Sequence, residues 1–278
     1  MGAAQEVAVA LKWVDLRPQV DPLAGRVTHD ARSSGFSPAD AAALEWALRL
    51  GESWRAPVAA VTAGPPEAEA VLREAASHGV RRLVRVAVDA GAPSDLVARG
   101  LAPALAGAAV VCCGDHSLDR GSGSVPAFLA HELHAAQALG LTGLTAQGPG
   151  SLLAERRLDG GRREQLRVTA PAVVSVEPAG VRLRRAPLSG LVAARQAEVE
   201  VCPTGGPRHA TGVRVLRVSA YRPRARVLAP PAGGDPRQRL LALTRALVER
   251  TPPRVVKAGA DRAADELLDF LKARGYLP

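Results

Sequence analysis

The residues best suited to chemistry lie in one run, Gly114-Asp115-His116-Ser117-Leu118-Asp119-Arg120-Gly121-Ser122-Gly123-Ser124-Val125-Pro126. It follows an apolar stretch, Ala109-Val110-Val111-Cys112-Cys113, and precedes a helical pattern over 127–139. A buried strand, a Gly/Ser loop and a helix start in that order bring free backbone N–H groups and the positive end of a helix dipole to one point, where a phosphate can be held. Gly121 and Gly123 permit positive φ or close approach to a ligand, and Ser122 and Ser124 add hydroxyl donors. The same residues also read as an ordinary turn with Ser124 as helix N-cap.

Other reactive groupings are weaker. Asp115, His116 and Ser117 are consecutive and so cannot converge as a triad. His131 and His134 fall on one face of the expected helix at a spacing of three, but no Cys or carboxylate cluster accompanies them, so no metal site is expected. The sequence holds no G-x-x-x-x-G-K-[ST], no G-x-G-x-x-G after a strand, no H-E-x-x-H and no G-x-S-x-G. No residue is assigned as catalytic. The functional expectation is therefore a nucleotide-holding scaffold.

The elements that must position this loop form an alternation. Val7–Leu11, 57–62, 83–88 and 108–113 are short continuous apolar runs of the kind found in fully buried parallel strands. Between them lie helical patterns opened by Ser37-Pro38-Ala39-Asp40, a capping box with proline at the first helical position, by Gly64-Pro65-Pro66-Glu67, and by Pro93-Ser94-Asp95. This order predicts a doubly wound, mostly parallel α/β sheet, Rossmann-like and close to the adenine-nucleotide α-hydrolase type. In such sheets ligands sit beyond the carboxyl ends of the strands where strand order reverses, so the loops after Leu11, after Thr62 and after Cys113 should converge. The excursion over 12–36, broken by Pro18, Pro22 and Gly25, is long enough to serve that site.

From Ser151 the pattern changes. Two strand-like stretches flank Asp159-Gly160-Gly161, a hairpin signal, and 171–176 is a further buried strand. Residues 177–205 lack periodicity and predict an extended surface segment, with Leu188 and Leu191 set among arginines for contact with another protein. The expected organisation is an α/β domain over 1–205, a linker over 206–236 and a helical arm over 237–278, whose apolar stripe must fold back or dock on a partner.

Composition sets the class. The 278 residues are 47% hydrophobic, enough for a real core, with a formal net charge of +9. Lys occurs only at 12, 257 and 272, so the basic charge is almost entirely arginine, and it is scattered. With only three Phe, three Trp and two Tyr, no basic and aromatic face for nucleic acid is expected. The densest cluster, Arg182, Arg184, Arg185 and Arg195, can meet an acidic partner. No apolar run reaches the ~20 residues of a membrane span, and Met1–Glu6 resembles no secretory signal, so the expected compartment is the cytoplasm. Three cysteines, two of them adjacent in a strand, make neither a disulfide framework nor a C-x-x-C site.

Several motifs, in order, resemble the β subunit of electron transfer flavoprotein over roughly residues 5–202. Val7–Val14 resembles its opening strand and following lysine. Ser37-Pro38-Ala39-Asp40 through Glu45-Trp46-Ala47-Leu48-Arg49-Leu50 is similar to its N-P-x-x-E…E-E-A-V-R-L segment. Thr62-Ala63-Gly64-Pro65 matches its S-x-G-P turn, and Asp159-Gly160-Gly161 with Pro171-Ala172-Val173-Val174 matches its D-G-G…P-A-V-V. Gly114–Pro126 falls where the family has G-K-Q-A-I-D-D-D-x-N-Q-T-G, its AMP-binding loop.

The resemblance implies a heterodimer with an FAD-binding α subunit, shuttling electrons from a flavin- or nicotinamide-linked dehydrogenase to a respiratory acceptor. It implies nucleotide contacts at Ala10, Ser37, Pro38, Ala39, Asp40, Ala63, Gly114, Asp115, His116, Ser117, Leu118, Asp119, Arg120, Gly121, Ser122, Gly123, Ser124 and Val125. It further implies a partner-recognition loop at about 177–200 with Leu188 as the anchor, and Glu164 near the flavin domain. The family's Asn-Gln-Thr is Gly123-Ser124-Val125 here, and Val125-Pro126 resembles members holding a second FAD for electron bifurcation. AMP or FAD thus stands as the nucleotide of this chain, beside an FAD held by or shared with the α subunit. The Arg/Ala-rich style resembles the mycofactocin-associated type. A non-redox adenine-nucleotide-binding regulatory module of the same fold is the alternative.

Overall fold

The computed structural model describes residues 6–89, 91–203, 216, 235–244, 255–273 and 277. The chain divides into two units, Met1–Tyr221 and Arg222–Pro278. In the first unit the elements run β1 Glu6–Leu11, α1 Pro38–Trp54, β2 Val58–Ala63, α2 Glu69–Ser77, β3 Arg82–Ala87, α3 Ser94–Leu105, β4 Ala108–Gly114, α4 Val125–Glu132, β5 Ala136–Gly148, β6 Ser151–Arg157, β7 Arg163–Thr169, β8 Ala172–Val176, α5 Leu188–Ala194 and β9 Glu200–Pro203. The nine strands form one sheet in the order β7-β6-β5-β8-β4-β1-β2-β3-β9. Every pair from β5 to β9 along that order is parallel, and β7-β6-β5 are antiparallel.

The sheet is doubly wound because its central strands are apolar on both faces. Val7, Val9 and Leu11 of β1, with Val110 and Cys112 of β4, pack in one cluster with Ala43, Leu44, Ala47 and Leu48 of α1 and Val71, Leu72 and Ala75 of α2. The alternate residues Ala8, Val111 and Cys113 face the other way, onto Ala98, Leu101 and Leu105 of α3 and Leu129 of α4. Side chains such as Leu44, Leu72, Leu105 and Leu129 are fully buried, each stabilising the fold by about 1.5–3 kcal/mol.

From β1 the chain steps through β2 to β3 on one side, then crosses to β4 on the other side of β1. Strand order therefore reverses at β1/β4, which opens a crevice at their carboxyl ends. The excursion over 12–36 that follows β1 is shaped by two short antiparallel ribbons, Val14–Asp15 with Ser34–Gly35 and Gln19–Val20 with Val27–Thr28. Asp15, with 3% of its side chain exposed, ties it together by accepting from the Ser33 hydroxyl at 2.5 Å and from the Arg17 and Asp30 N–H groups. These bonds, the Ser33 hydroxyl foremost, hold its carboxyl down at about 2.

Three expectations are corrected. The helix expected over 127–139 ends at Glu132; Leu133 caps it, His134 turns left-handed at φ +50, and Ala136–Gly148 is strand β5, paired with β8 and β6. His131 and His134 consequently share no helix face. The segment over 177–205 is not wholly extended, since it holds the short helix α5 and the edge strand β9. Its Arg184 is not offered to a partner but turned inward, with Nε 2.9 Å from Glu45 Oε2 and a further pairing to Glu52. Glu45 is 2% exposed; burial pushes its carboxyl up, but the hydrogen bonds from Arg184 and Arg49 outweigh that and leave it below its ordinary value.

In the second unit the described elements are the helices α6 Pro236–Thr244 and α7 Ala260–Ala273. Leu267, Leu268 and Phe270 of α7 are exposed. The Met1–Gln5 terminus, the greater part of the expected linker over 206–236 and Gly275, expected to stop the last helix, lie outside the described residues.

Candidate functional site

A cavity of about 310 Å³ lies at the carboxyl ends of β1, β2 and β4. That volume is at the small end of the range for ligand sites. Its apolar wall includes Ala10, Leu11, Ala63, Ala68, Val97 and Leu101, and its polar rim is the loop between β4 and α4.

Two glycines let that loop come close to its neighbours. At Gly114 a Cβ would sit 3.0–3.1 Å from Ala39 and from the Asp40 nitrogen, so a side chain there would push α1 away from β4. Gly123 has φ +58, and a Cβ on it would collide with the Asp115 carbonyl oxygen. The loop is further held by Gly121 N–H donating to the Ser117 carbonyl at 2.8 Å and by a 3.0 Å hydrogen bond between the Ser122 and Ser124 hydroxyls. Ser124 occupies the N-cap position of α4 without a side-chain capping bond, so the turn reading of this residue is not the one adopted.

Helix starts surround the cavity unequally. At α1 the Ser37 hydroxyl accepts from Asp40 N–H at 3.1 Å, while Asp40 Oδ2 accepts from the Ser37 N–H and hydroxyl. That terminus is satisfied. At α3, whose Ser94 and Val97 line the cavity, and at α4, whose Val125 and Pro126 do, no side chain caps the helix. Their first N–H groups are left for a ligand or water, with the positive helix ends behind them.

The charged groups are arranged in opposition. Lys12 Nζ lies 2.6 and 2.7 Å from the two Asp119 carboxylate oxygens and 3.5 Å from Ser117 Oγ, joining the end of β1 to the loop across 107 positions. Burial pushes Asp119 up, but hydrogen bonds from Lys12 and Ser117 outweigh it and hold the carboxyl below its ordinary value. His116 Nδ1 donates to Asp115 Oδ1 at 2.7 Å, and His29 lies 3.6 Å from Asp15. Arg120 donates to the carbonyls of Ala92 at 2.7 Å and Gly91 at 2.9 Å, bridging to the segment that enters α3. Asp40, 5% exposed, is the buried acid of the cavity; burial raises its carboxyl to about 6, against the opposing pull of Ser37 and Lys12.

Of the residues singled out in the sequence, Ala10, Asp40, Ala63, Gly114, His116, Ser117, Asp119, Arg120, Ser122, Gly123, Ser124 and Val125 line this one cavity. Ser37, Pro38, Ala39, Asp115, Leu118 and Gly121 shape its surroundings without lining it. Leu188 and Glu164 lie elsewhere: Leu188 opens α5 and is 77% exposed, and Glu164, on β7, pairs with Arg156 at 2.5 Å. Sequence reading missed Lys12 as a bridging group, the wall residues of α3, and Asp15, His29 and Ser34 of the excursion. Lys12 had a legible signal, a lone lysine just past a buried strand; the others have none without the fold.

Arg49 guanidinium stacks over Trp46 at 5.3 Å on the outer side of α1. Cys112 and Cys113 are buried, with thiols pushed up by desolvation, Cys112 to about 12. Among the described residues no group of three or more His, Cys, Asp or Glu is placed to hold a metal ion, and no helix is long and apolar enough to cross a membrane.

Comparison with a known protein family covers the greater part of this site, including the loop between β4 and α4, but not the residues from β1 and the start of the excursion. The electron transfer flavoprotein domain model matches residues 26–204. The electron transfer flavoprotein subunit beta of Mycobacterium tuberculosis is 34% identical over 169 residues, 57% of this chain and 63% of that relative. Protein FixA of Rhizobium meliloti is 29% identical over 192 residues, 65% of each, and the subunit beta of Thermoanaerobacterium thermosaccharolyticum is 28% identical over 161 residues. The chain spans a little under two thirds of the length of these curated relatives.

Proposed function

The chain belongs to the electron transfer flavoprotein domain family, and from that premise we propose that it serves as the β-type subunit of an electron transfer flavoprotein, holding an adenine nucleotide in the β1/β4 cavity. The observation that carries the reading is the cavity itself. It is of small-ligand size, lies at the switch point of the sheet, and is bordered by a glycine-cradled loop that falls within the matched segment.

The residues present fit AMP better than FAD. The apolar wall of Ala10, Ala63, Val97 and Leu101 suits a base, and the uncapped starts of α3 and α4 with the Ser122 and Ser124 hydroxyls suit one phosphate. The Gly114 contact with α1 and the Gly123 contact with Asp115 are the close approaches such a cradle needs. In this reading the nucleotide is structural: it joins the loop to α1 and α3. FAD, held mainly by a partner α subunit, supplies the electron chemistry when bound. What this chain does is bind, orient and dock.

Docking falls to α5. Gly190 packs so tightly on the Ser77 carbonyl that any side chain would displace it, which fixes α5 against the end of α2 and leaves Leu188, Leu191 and Val192 exposed together. We assign Leu188 as the anchor for a dehydrogenase that donates electrons, and a respiratory acceptor as their destination.

The test is to express the chain with its candidate α subunit and follow flavin reduction by a dehydrogenase. Leu188→Ala is expected to lower the rate of electron acceptance while nucleotide content is kept. Unchanged transfer kinetics in that variant would count against the docking role. A chain that remains monomeric and flavin-free beside the α subunit would favour the regulatory nucleotide-binding module instead.

A further inference from the structure

The cavity has an unusual charge inventory. Four carboxylates line it, Asp15, Asp40, Asp89 and Asp119, against two permanent cations, Lys12 and Arg120. Lys12 is consumed by both oxygens of Asp119. The lining histidines each lie beside an aspartate, His29 by Asp15 and His116 by Asp115. Among the described residues Arg120 is thus the one lining cation with no carboxylate partner. Its bonded partners are neutral carbonyls, those of Ala92 and Gly91.

Two consequences follow. Carbonyl oxygens orient a guanidinium without neutralising it, so Arg120 keeps its full charge at the cavity. Two of its five N–H groups are spent on those carbonyls, one on each of two different nitrogens, which leaves three donors in a fixed fork. The side chain is also pre-set on both ends: its own N–H donates to Asp119 Oδ1 at 2.8 Å, and its tip is tethered to the segment entering α3. In such an acid-lined cavity Arg120 is the side-chain charge available to an entering anion, beside the uncapped starts of α3 and α4.

Resting on the nucleotide reading above, we propose that Arg120 is the specificity-determining residue of the cavity, selecting the nucleoside monophosphate over the bare nucleoside by a charge-assisted contact to the phosphate. The position compensates for the short side chains of Gly123, Ser124 and Val125, which offer the phosphate two hydroxyl-free residues out of three. Arg120 is exposed, so its replacement leaves the core intact.

The experiment titrates nucleotide-stripped full-length chain, wild type, Arg120→Gln and Arg120→Lys, with AMP and with adenosine by calorimetry. Wild type should bind AMP at least about tenfold more tightly than adenosine, since a hydrogen bond to a charged group contributes enough for one to two decades. Arg120→Gln should bring the two ligands to within about threefold by weakening AMP alone, and Arg120→Lys, a point charge without the fork, should fall between. Equal weakening of both ligands would mean that Arg120 acts only by placing the loop and would overturn the proposal, as would unchanged discrimination. Binding of neither ligand by the wild type would instead overturn the nucleotide reading on which the proposal stands.

Discussion

Gly123→Ala tests the loop at its tightest point, with Gly121→Ala as the internal control. Both glycines are left-handed, at φ +65 and +58, so an alanine at either costs about 1–2 kcal/mol of backbone strain, offset in part by a stiffer unfolded chain. At Gly121 nothing stands closer than the Ser117 carbonyl at 4.0 Å, so the strain is the whole effect and about 1 kcal/mol is expected. At Gly123 the new methyl also collides with the Asp115 carbonyl, a backbone atom that cannot swing aside. Overpacking of that kind adds about 1–3 kcal/mol, for a total near 2–4 kcal/mol. In a unit of about 200 residues this lowers Tm by roughly 4–16 °C, unless the loop moves instead. If it moves, the same energy is taken from ligand binding, about 30- to 1,000-fold in affinity for AMP. Calorimetric melting and AMP titration of both variants decide it. A Gly123→Ala chain as stable and as competent to bind as Gly121→Ala would refute the close-contact cradle.

Two further predictions concern the charged groups around α1. Asp40 ionises at about 6 in the fold against 3.8 ordinarily, so the folded state holds its proton more tightly than the unfolded chain does; the contribution of this one group to stability is full below about pH 4 and declines as pH rises to about 6, by up to roughly 3 kcal/mol. Asp40→Asn, which keeps an acceptor for the Ser37 N–H, should flatten that decline in urea titrations between pH 4 and 7; a slope identical to wild type would show that Asp40 is not the group responsible. Arg184→Ala leaves the Glu45 carboxylate buried with Arg49 as its remaining partner and should cost about 2–4 kcal/mol by denaturant midpoint, whereas Glu52→Ala, at an exposed carboxylate, should cost under about 1 kcal/mol. Similar losses in the two variants would contradict the inward anchoring of the 177–187 segment.

The legible part of the fold is the part whose sequence signals need no partner. Val7–Leu11 and Ala109–Cys113 are apolar at every position, a pattern only a strand covered on both faces explains, and Ser37-Pro38-Ala39-Asp40 carries its cap in its own side chains. The segment after α4 misleads for a physical reason. Ala136–Gly148 is rich in Ala, Leu and Gln and poor in β-branched residues, so local preference points to helix, but pairing with β8 on one side and β6 on the other overrides it. His134 at φ +50 ends α4 without a glycine to announce it. The short α5 is likewise silent, because seven residues carry too little periodicity to register. At the site, the Gly/Ser loop is readable from spacing, whereas the Lys12–Asp119 pair joins residues 107 positions apart and exists only once β1 and β4 lie side by side.

The central claim is that this chain carries a nucleotide of its own beside a flavin held by its partner. The most direct measurement is to purify the chain with its candidate α subunit, denature the complex, and quantify released AMP and FAD by chromatography. One AMP and one FAD per heterodimer is the predicted result. Two FAD and no AMP would assign the cavity to a bifurcating type, and FAD alone at one per heterodimer would contradict the account.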